Sequence, residues 1–257
     1  MEGKDALVIM PTGGGKSICY QIPALASEGI TIVVSPLIAL MNDQVINLQE
    51  VGVEAATIHS NVPPGEIQEI ERKLNNGETK ILYLSPEKIN SEMTQRYLST
   101  LNIGLIAIDE AHCVSVWGND FRPDYTKLAR LRNVFPKSAF IALTATADTA
   151  TQADISKQLE LREPRKFLSS FERKNITTHA HPAQKRLDKI AHILREHTED
   201  SGIIYCLSRK DTEKVASKLN MMGLNAKHYH AGMSAEDRYS VQREFQNDDI
   251  KIICATV

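Results

Sequence analysis

The chain lacks most of the signals that would give it away cheaply. It has four cysteines in 257 residues, Cys19, Cys113, Cys206 and Cys254. None stands in a C-x-x-C pair, so the spacing gives no zinc site and no redox motif, and reduced thiols are expected. Net charge is −2. That excludes a basic coat for nucleic acid, and any such contact must come from a local patch or groove. From residue 172 onward 14 basic residues face 12 acidic ones, a tilt too slight to mark a binding face. No apolar run approaches the roughly 18 residues that a membrane helix needs, and no signal peptide is evident. A soluble, intracellular protein is expected, without a membrane partner. Internal repeats and low-complexity tracts are missing as well.

What is present is an alternation. Short, nearly continuous apolar runs occupy residues 6–9, 31–34, 55–58, 80–84, 104–108 and 139–143. Runs of this kind suit strands buried on both faces of a parallel sheet. Helix-length segments lie between them, for example 38–50, 64–76 and 149–159. The fold class is therefore α/β. Segment 162–183, rich in charge and holding Pro164 and Pro182, breaks the rhythm. It marks a boundary between domains at 1–171 and 172–257. The alternation then resumes, with helices near 184–199, 209–222 and 235–246 and strands at 202–206, 225–228 and 250–256. Both ends are abrupt, with a strand close to Met1 and another running to Val257, so a fragment of a longer protein is expected.

The first chemistry follows the first strand. Met10-Pro11-Thr12-Gly13-Gly14-Gly15-Lys16-Ser17 leads into a predicted helix. Glycines let backbone N–H groups turn toward phosphate oxygens, and the helix N-terminus adds its positive dipole end. Pro11, Thr12, Gly13, Gly14, Gly15, Lys16 and Ser17 form the candidate ATP-binding loop. Lys16 would meet the β/γ-phosphates, and the Ser17 hydroxyl would ligate Mg²⁺.

A second acid is required. The run 106–108 ends in Asp109-Glu110-Ala111-His112, and a carboxylate at the C-terminal end of a buried strand faces the ligand crevice of such a sheet. Asp109 is the second candidate Mg²⁺ ligand. Glu110 is the candidate general base for the attacking water, and His112 completes the catalytic set. The next strand ends in Thr144-Ala145-Thr146, whose two hydroxyls could bond to the acidic segment and couple it to the phosphates.

These three motifs, in this order, resemble those of superfamily 2 helicases. Finer features resemble the RecQ family: Gln21-Ile22-Pro23-Ala24-Leu25, Ser35-Pro36-Leu37, Leu84-Ser85-Pro86-Glu87-Lys88, Tyr229-His230-Ala231-Gly232-Met233, and above all Ala111-His112-Cys113 followed by Trp117-Gly118 and Asp120-Phe121-Arg122-Pro123-Asp124-Tyr125. The resemblance covers essentially the whole chain. It implies two tandem RecA-like parallel-sheet domains, the second incomplete. It also implies an ATP- and Mg²⁺-dependent 3′–5′ DNA helicase motor acting on single-stranded and forked DNA in repair and recombination. Other readings are a superfamily 2 RNA helicase and an inactive nucleic-acid-binding remnant. Expected DNA-contacting residues are Ser35, Pro36, Leu37, Trp117, Phe121 and Arg122, then Ser208, Arg209, His230, Gly232 and Thr256. Aromatic faces stack on bases, and small polar groups track phosphates. The bacterial cytoplasm or nucleoid is the favoured location, or the nucleus in a eukaryote. The pairs His179/His181 and His228/His230 offer a weaker metal-site option.

The resemblance also implies parts that the chain does not include: an adenine-recognition segment before the phosphate loop, and an arginine finger, zinc-binding and winged-helix regions after Val257. An arginine finger in cis is worth about 10³–10⁵ in rate in related phosphoryl transfer, so weak nucleotide binding and slow hydrolysis are expected of the chain alone. The aromatic-rich loop departs from the family at Val116, where Gln is usual, and at Asn119, where His is usual. Valine has no hydrogen-bonding group, so DNA binding should stimulate ATP hydrolysis less than in a typical relative. Restoring both groups (Val116→Gln with Asn119→His) is expected to raise DNA-stimulated hydrolysis; unchanged stimulation in a steady-state ATPase assay with single-stranded DNA refutes this.

Overall fold

The computed structural model describes residues 3–115, 120–170 and 175–256. The chain divides into two compact units, Met1–Ile176 and Thr177–Val257.

In chain order the first unit runs β1 (Ala6–Ile9), α1 (Ile18–Ala26), β2 (Ile30–Val34), α2 (Ile38–Glu50), β3 (Ala55–Ile58), α3 (Pro64–Asn75), β4 (Ile81–Leu84), α4 (Pro86–Ile89), α5 (Glu92–Leu98) and β5 (Ile103–Ile108). A 3₁₀ turn (Ala111–Val114), α6 (Pro123–Thr126), a second 3₁₀ turn (Lys127–Arg130), α7 (Leu131–Val134), β6 (Ala139–Thr144), α8 (Thr149–Gln158) and β7 (Arg165–Leu168) follow. Among the described residues the sheet has seven strands, in the order β3-β4-β2-β5-β6-β1-β7. All of its pairings are parallel.

Successive side chains of a strand point to opposite faces. Leu7, Ile9, Ile32, Val34, Ile106, Ile108, Phe140 and Ala142 pack on one face. Val8, Val33, Ala107, Ile141 and Leu143 pack on the other. With helices over both faces, both sets are buried, which is why the runs read as continuous rather than alternating.

β7 is a strand that the sequence reading did not expect, falling in the segment 162–183 where the alternation was read as breaking. It pairs with β1, with Ala6 opposite Arg165 and Ile9 opposite Leu168. All four of its residues are exposed. The sequence Arg-Lys-Phe-Leu carries no burial pattern because an edge strand has one ladder neighbour and here no covered face.

Parallel register decides where the motifs fall. β6 lies between β1 and β5, with Ile9 opposite Thr144 and Ile108 opposite Ala142. The chain leaving β1, β5 and β6 therefore emerges on one edge.

The opposite edge is braced by a buried ion pair. Asp5 and Arg132 meet through Asp5 Oδ2 and Arg132 Nη2. Asp5 also accepts from the backbone N–H groups of Phe140 at 2.9 Å and Arg162 at 2.6 Å. Arg132 donates to the Ser138 carbonyl at 3.2 Å. Its guanidinium lies 3.8 Å from the centre of the Phe140 ring, a cation–π contact.

The second unit contains α9 (Arg186–Glu196), β8 (Gly202–Cys206), α10 (Arg209–Met221), β9 (Ala226–Tyr229), α11 (Ala235–Gln246) and β10 (Ile252–Thr256). Its described strands are parallel in the order β8-β10-β9. α9 and α10 supply Ala191, Ala216 and Leu219 to the core on one face, and Val241 of α11 packs on the other. The described helices include none long and apolar enough to cross a membrane.

Removing one partner of a buried ion pair leaves an uncompensated charge and costs about 3–5 kcal/mol. Arg132→Met is expected to lower unfolding free energy by that amount in urea denaturation. Adding Asp5→Asn should recover much of the loss. Equal stability of Arg132→Met and wild type would show that the pair contributes nothing.

Candidate nucleotide and nucleic-acid site

The loop after β1 is shaped by its glycines. The Met10 N–H extends the ladder to the Thr144 carbonyl at 3.2 Å, and the Gly14 N–H closes a turn on the Pro11 carbonyl at 3.0 Å. Gly13 and Gly15 have φ of +78° and +85°, which side chains disfavour. A Cβ on Gly14 would lie 2.9 Å from the Pro11 carbonyl oxygen. Lys16 Nζ donates across the loop to the Met10 carbonyl at 3.3 Å. Ser17 stands at the N-cap of α1 but makes no capping bond through its side chain.

Asp109 continues the β5 ladder through its N–H, 2.9 Å from the Val34 carbonyl. Its residue is 9% exposed, and its own carbonyl accepts from the buried Tyr125 hydroxyl at 2.9 Å. Burial, and then the neighbouring Glu110 carboxylate, push the Asp109 carboxyl up to about 6. The Glu110 N–H, 3.0 Å from Oδ1, opposes the shift together with Lys16 and His112. Glu110 itself sits in the left-handed region at φ 46°, which costs a non-glycine residue on the order of 1 kcal/mol or more.

The two acids are driven apart. Glu110 Oε2 lies 3.2 Å from His112 Nδ1. That hydrogen bond, outweighing burial, holds the Glu110 carboxyl below its ordinary range. The same nitrogen is 2.8 Å from Thr144 Oγ1. A carboxylate only accepts, so Nδ1 carries the proton. The buried Thr144 hydroxyl donates to the Thr146 carbonyl at 3.2 Å and accepts from the Thr146 N–H at 3.2 Å. The structure thus joins Glu110, His112, Thr144 and Thr146 in one hydrogen-bonded chain.

The residue set suits a hard divalent cation. Asp109 is a buried carboxylate whose ionisation Lys16 and His112 only partly balance, and Ser17 offers a hydroxyl not spent on capping. Oxygen ligands of this kind are what Mg²⁺ takes.

Two of the expected DNA-contacting residues of the first unit, Arg122 and Pro36, meet through a link that the sequence does not display. Arg122 Nη1 donates to the Pro36 carbonyl at 3.4 Å, and Nε and Nη2 both donate to Asp120 Oδ2, at 3.1 and 2.8 Å. Phe121 is 41% exposed and Leu37 47%. Ser35 is buried, and its hydroxyl has no hydrogen-bond partner among the described residues. Trp117, Val116 and Asn119 lie outside the described residues.

In the second unit, Ser208 caps α10, accepting from the Asp211 N–H at 3.1 Å. Arg209 packs against Gly232, where a Cβ would lie 3.2 Å from Nη1. His230 is buried, with Nδ1 accepting from the Gly232 N–H at 3.2 Å and Nε2 facing Glu213 at 3.1 Å. Both of its ring nitrogens are therefore engaged. It stacks on His228 at 5.4 Å, as His179 does on His181 at 6.3 Å. Thr256 ends β10, half-buried. The sequence reading missed Tyr125, Asp120 and Glu213. Only Tyr125 and Asp120 lay within the quoted aromatic-rich motif.

Two family models match: DEAD/DEAH box helicase over residues 1–155 and helicase conserved C-terminal domain over 185–257. The chain belongs to the DEAD/DEAH box helicase family. Relatives that it matches across its length include RecQ helicases. It is 45% identical to ATP-dependent DNA helicase RecQ of Haemophilus influenzae over 257 residues, which is all of this chain and 42% of that protein. It is 41% identical to RecQ of Bacillus subtilis over 254 residues, 98% of this chain and 43% of that protein. The chain thus spans less than half the length of these relatives. Among solved structures it resembles the Mycobacterium smegmatis helicase Lhr bound to ssDNA and AMP-PNP, with a TM-score of 0.72 at 20% identity, covering 99% of this chain and 38% of that one. It also resembles the DUF1998 helicase MrfA bound to DNA and AMPPNP, with 0.76 at 19%, covering 99% and 40%. At such identities the likeness shows the fold.

A carboxyl raised in the folded state is ionised there at a cost. The cost is absent below the unfolded value of 3.8, grows between 3.8 and about 6, and is complete above that, where it reaches about 3 kcal/mol. In protein free of nucleotide and metal, Asp109→Asn is therefore expected to be more stable than wild type at about pH 7.5, by up to that amount, and no more stable at about pH 4. Thermal unfolding at the two pH values checks it, and a gain that does not shrink on acidification contradicts it.

Proposed function

We propose that this chain is the nucleotide-hydrolysing part of an ATP-dependent DNA helicase motor that moves 3′ to 5′ along single-stranded DNA and opens duplexes and forks. The observation that carries the reading is the arrival of Lys16, Ser17, Asp109, Glu110 and Thr144 on one edge of one sheet, enforced by strand register. The DNA helicases among its relatives support the choice of DNA over RNA.

In this reading Lys16 leaves the Met10 carbonyl and takes the β/γ-phosphates of ATP, while the N–H groups of the glycine loop wrap the remaining oxygens. Mg²⁺ held by Ser17 and Asp109 would supply neutralisation of charge at the β- and γ-oxygens. Glu110, kept ionised by His112, orients the attacking water and accepts its proton. Thr144 and Thr146 carry the state of this group to the end of β6. Leu37, Phe121 and Arg122 lie on segments joined by the Arg122–Pro36 bond, and with Trp117 they would hold the strand by stacking and phosphate contact. Ser208, Arg209, Gly232 and Thr256 add backbone contacts from the second unit, with His230 positioning the Gly232 N–H. The site of action is wherever the cell keeps its DNA.

Lys16→Ala in the full-length protein is expected to slow ATP hydrolysis by about 10²–10³-fold, the effect of removing one charge-stabilising donor, and to abolish unwinding. Glu110→Gln should slow hydrolysis comparably while nucleotide binding persists. Hydrolysis assays with DNA and RNA cofactors, paired with nucleotide-binding titrations, check both. A Lys16→Ala protein that unwinds DNA at the wild-type rate sinks the reading, and stimulation by RNA in place of DNA sinks the substrate assignment.

A further inference from the structure

Cys113 is fully buried, and its sulfur lies 3.9 Å from His112 Nε2 and 3.8 Å from Asp120 Oδ2. All three donor atoms fall within 4.8 Å of one another. For a tetrahedral zinc ion, with bonds of roughly 2.0–2.3 Å, the donors would stand about 3.5 Å apart. The two separations from the sulfur need to close by only a few tenths of an ångström, and the histidine and carboxylate donors already stand within 4.8 Å. A second observation points the same way. A metal-bound histidine characteristically donates its other ring N–H to a carboxylate or similar acceptor. His112 already does so, its Nδ1 lying 3.2 Å from Glu110 and 2.8 Å from Thr144, with Nε2 turned toward the sulfur. Asp120 is largely exposed and gives the cluster a path to solvent.

We propose that His112 Nε2, Cys113 Sγ and Asp120 Oδ2 form an inhibitory binding site for a thiophilic divalent cation of the Zn²⁺ class, with water as the fourth ligand. Binding replaces the thiol proton, which passes to solvent, by the metal. The absence of C-x-x-C pairs argues against a closed four-ligand structural site; it does not bear on three ligands gathered by a 3₁₀ turn and the segment that returns beside it. The Arg122 N–H donates to the Cys113 carbonyl at 2.9 Å, so that segment is already fixed against the turn.

Two consequences follow from the neighbours. Asp120 Oδ2 is also the acceptor for Arg122, so the cation competes with the guanidinium and loosens the Arg122 attachment. A cation on Nε2 also makes Nδ1–H a stronger donor. That tightens its hold on Glu110 and makes the carboxylate a poorer proton acceptor. The first disturbs the nucleic-acid contact and the second acts against hydrolysis, and neither touches the phosphate loop.

The test that stands apart from any activity is Co²⁺ titration of the nucleotide-free, reduced protein, read as the thiolate-to-cobalt charge-transfer band in the near ultraviolet. The wild-type chain is expected to develop the band at one equivalent, and Cys206→Ser to keep it. Cys113→Ser, with folding checked by circular dichroism, should lose it. Asp120→Ala, an exposed change that leaves the core alone, should weaken affinity at least tenfold. No band in the wild type, a band that survives in Cys113→Ser or depends on Cys206, or unaltered affinity in Asp120→Ala overturns the site. If the site stands, Zn²⁺ should slow ATP hydrolysis in the wild type far more than in Asp120→Ala. Equal inhibition of the two would leave a metal site but overturn its inhibitory role.

Discussion

Parallel strand pairing is the constraint from which the rest of the first unit follows. A parallel ladder points every strand the same way, so every strand empties onto the same edge. With β6 between β1 and β5, a lysine loop, an acid pair and a threonine pair separated by up to 130 residues of chain are brought within reach of one another. An antiparallel neighbour at any of these three positions would send one motif to the far side. Burial of both faces then fixes the register, because a slip by one residue would exchange the two packed sets of side chains.

The acid pair shows how a few ångströms separate two chemically similar groups. Asp109 is buried at the end of β5, its backbone carbonyl held by Tyr125, and its carboxyl resists ionisation. Glu110, next in sequence, is turned by its left-handed backbone toward His112 and is held ionised. A group that resists ionisation alone is suited to receive a cation, and one held ionised is suited to hold water. The strained backbone at Glu110 is what lets adjacent residues face different partners.

Legibility of the fold tracked burial. The central strands and the helices covering them showed in the sequence because every residue of β2 and β4 is buried. β7 did not show, because four exposed residues of mixed type carry no periodicity. The glycine loop and the acid pair stood out in the sequence because their residues are consecutive. The His112 link to Thr144 spans 32 positions and was read only as a general capacity of the two hydroxyls. The Arg122 bond to the Pro36 carbonyl spans 86, and no local pattern encodes a backbone acceptor. Ser35 and His230 were read as groups able to meet a phosphate, and both are buried. Their partners, the Leu84 carbonyl for the Ser35 N–H and Glu213 for the His230 ring, are ones that only the folded chain supplies.

Asp5 occupies the edge of the sheet away from all this chemistry, yet it gathers Arg132, the N–H at the start of β6 and the N–H of Arg162 just ahead of β7. One carboxylate thus clamps the starts of three neighbouring strands and the short helix that precedes β6. The sheet is pinned at its foot and open at its rim, like leaves in a bound book. Any rearrangement at that rim would be taken up by loops at the free margin, since the spine has no slack to share.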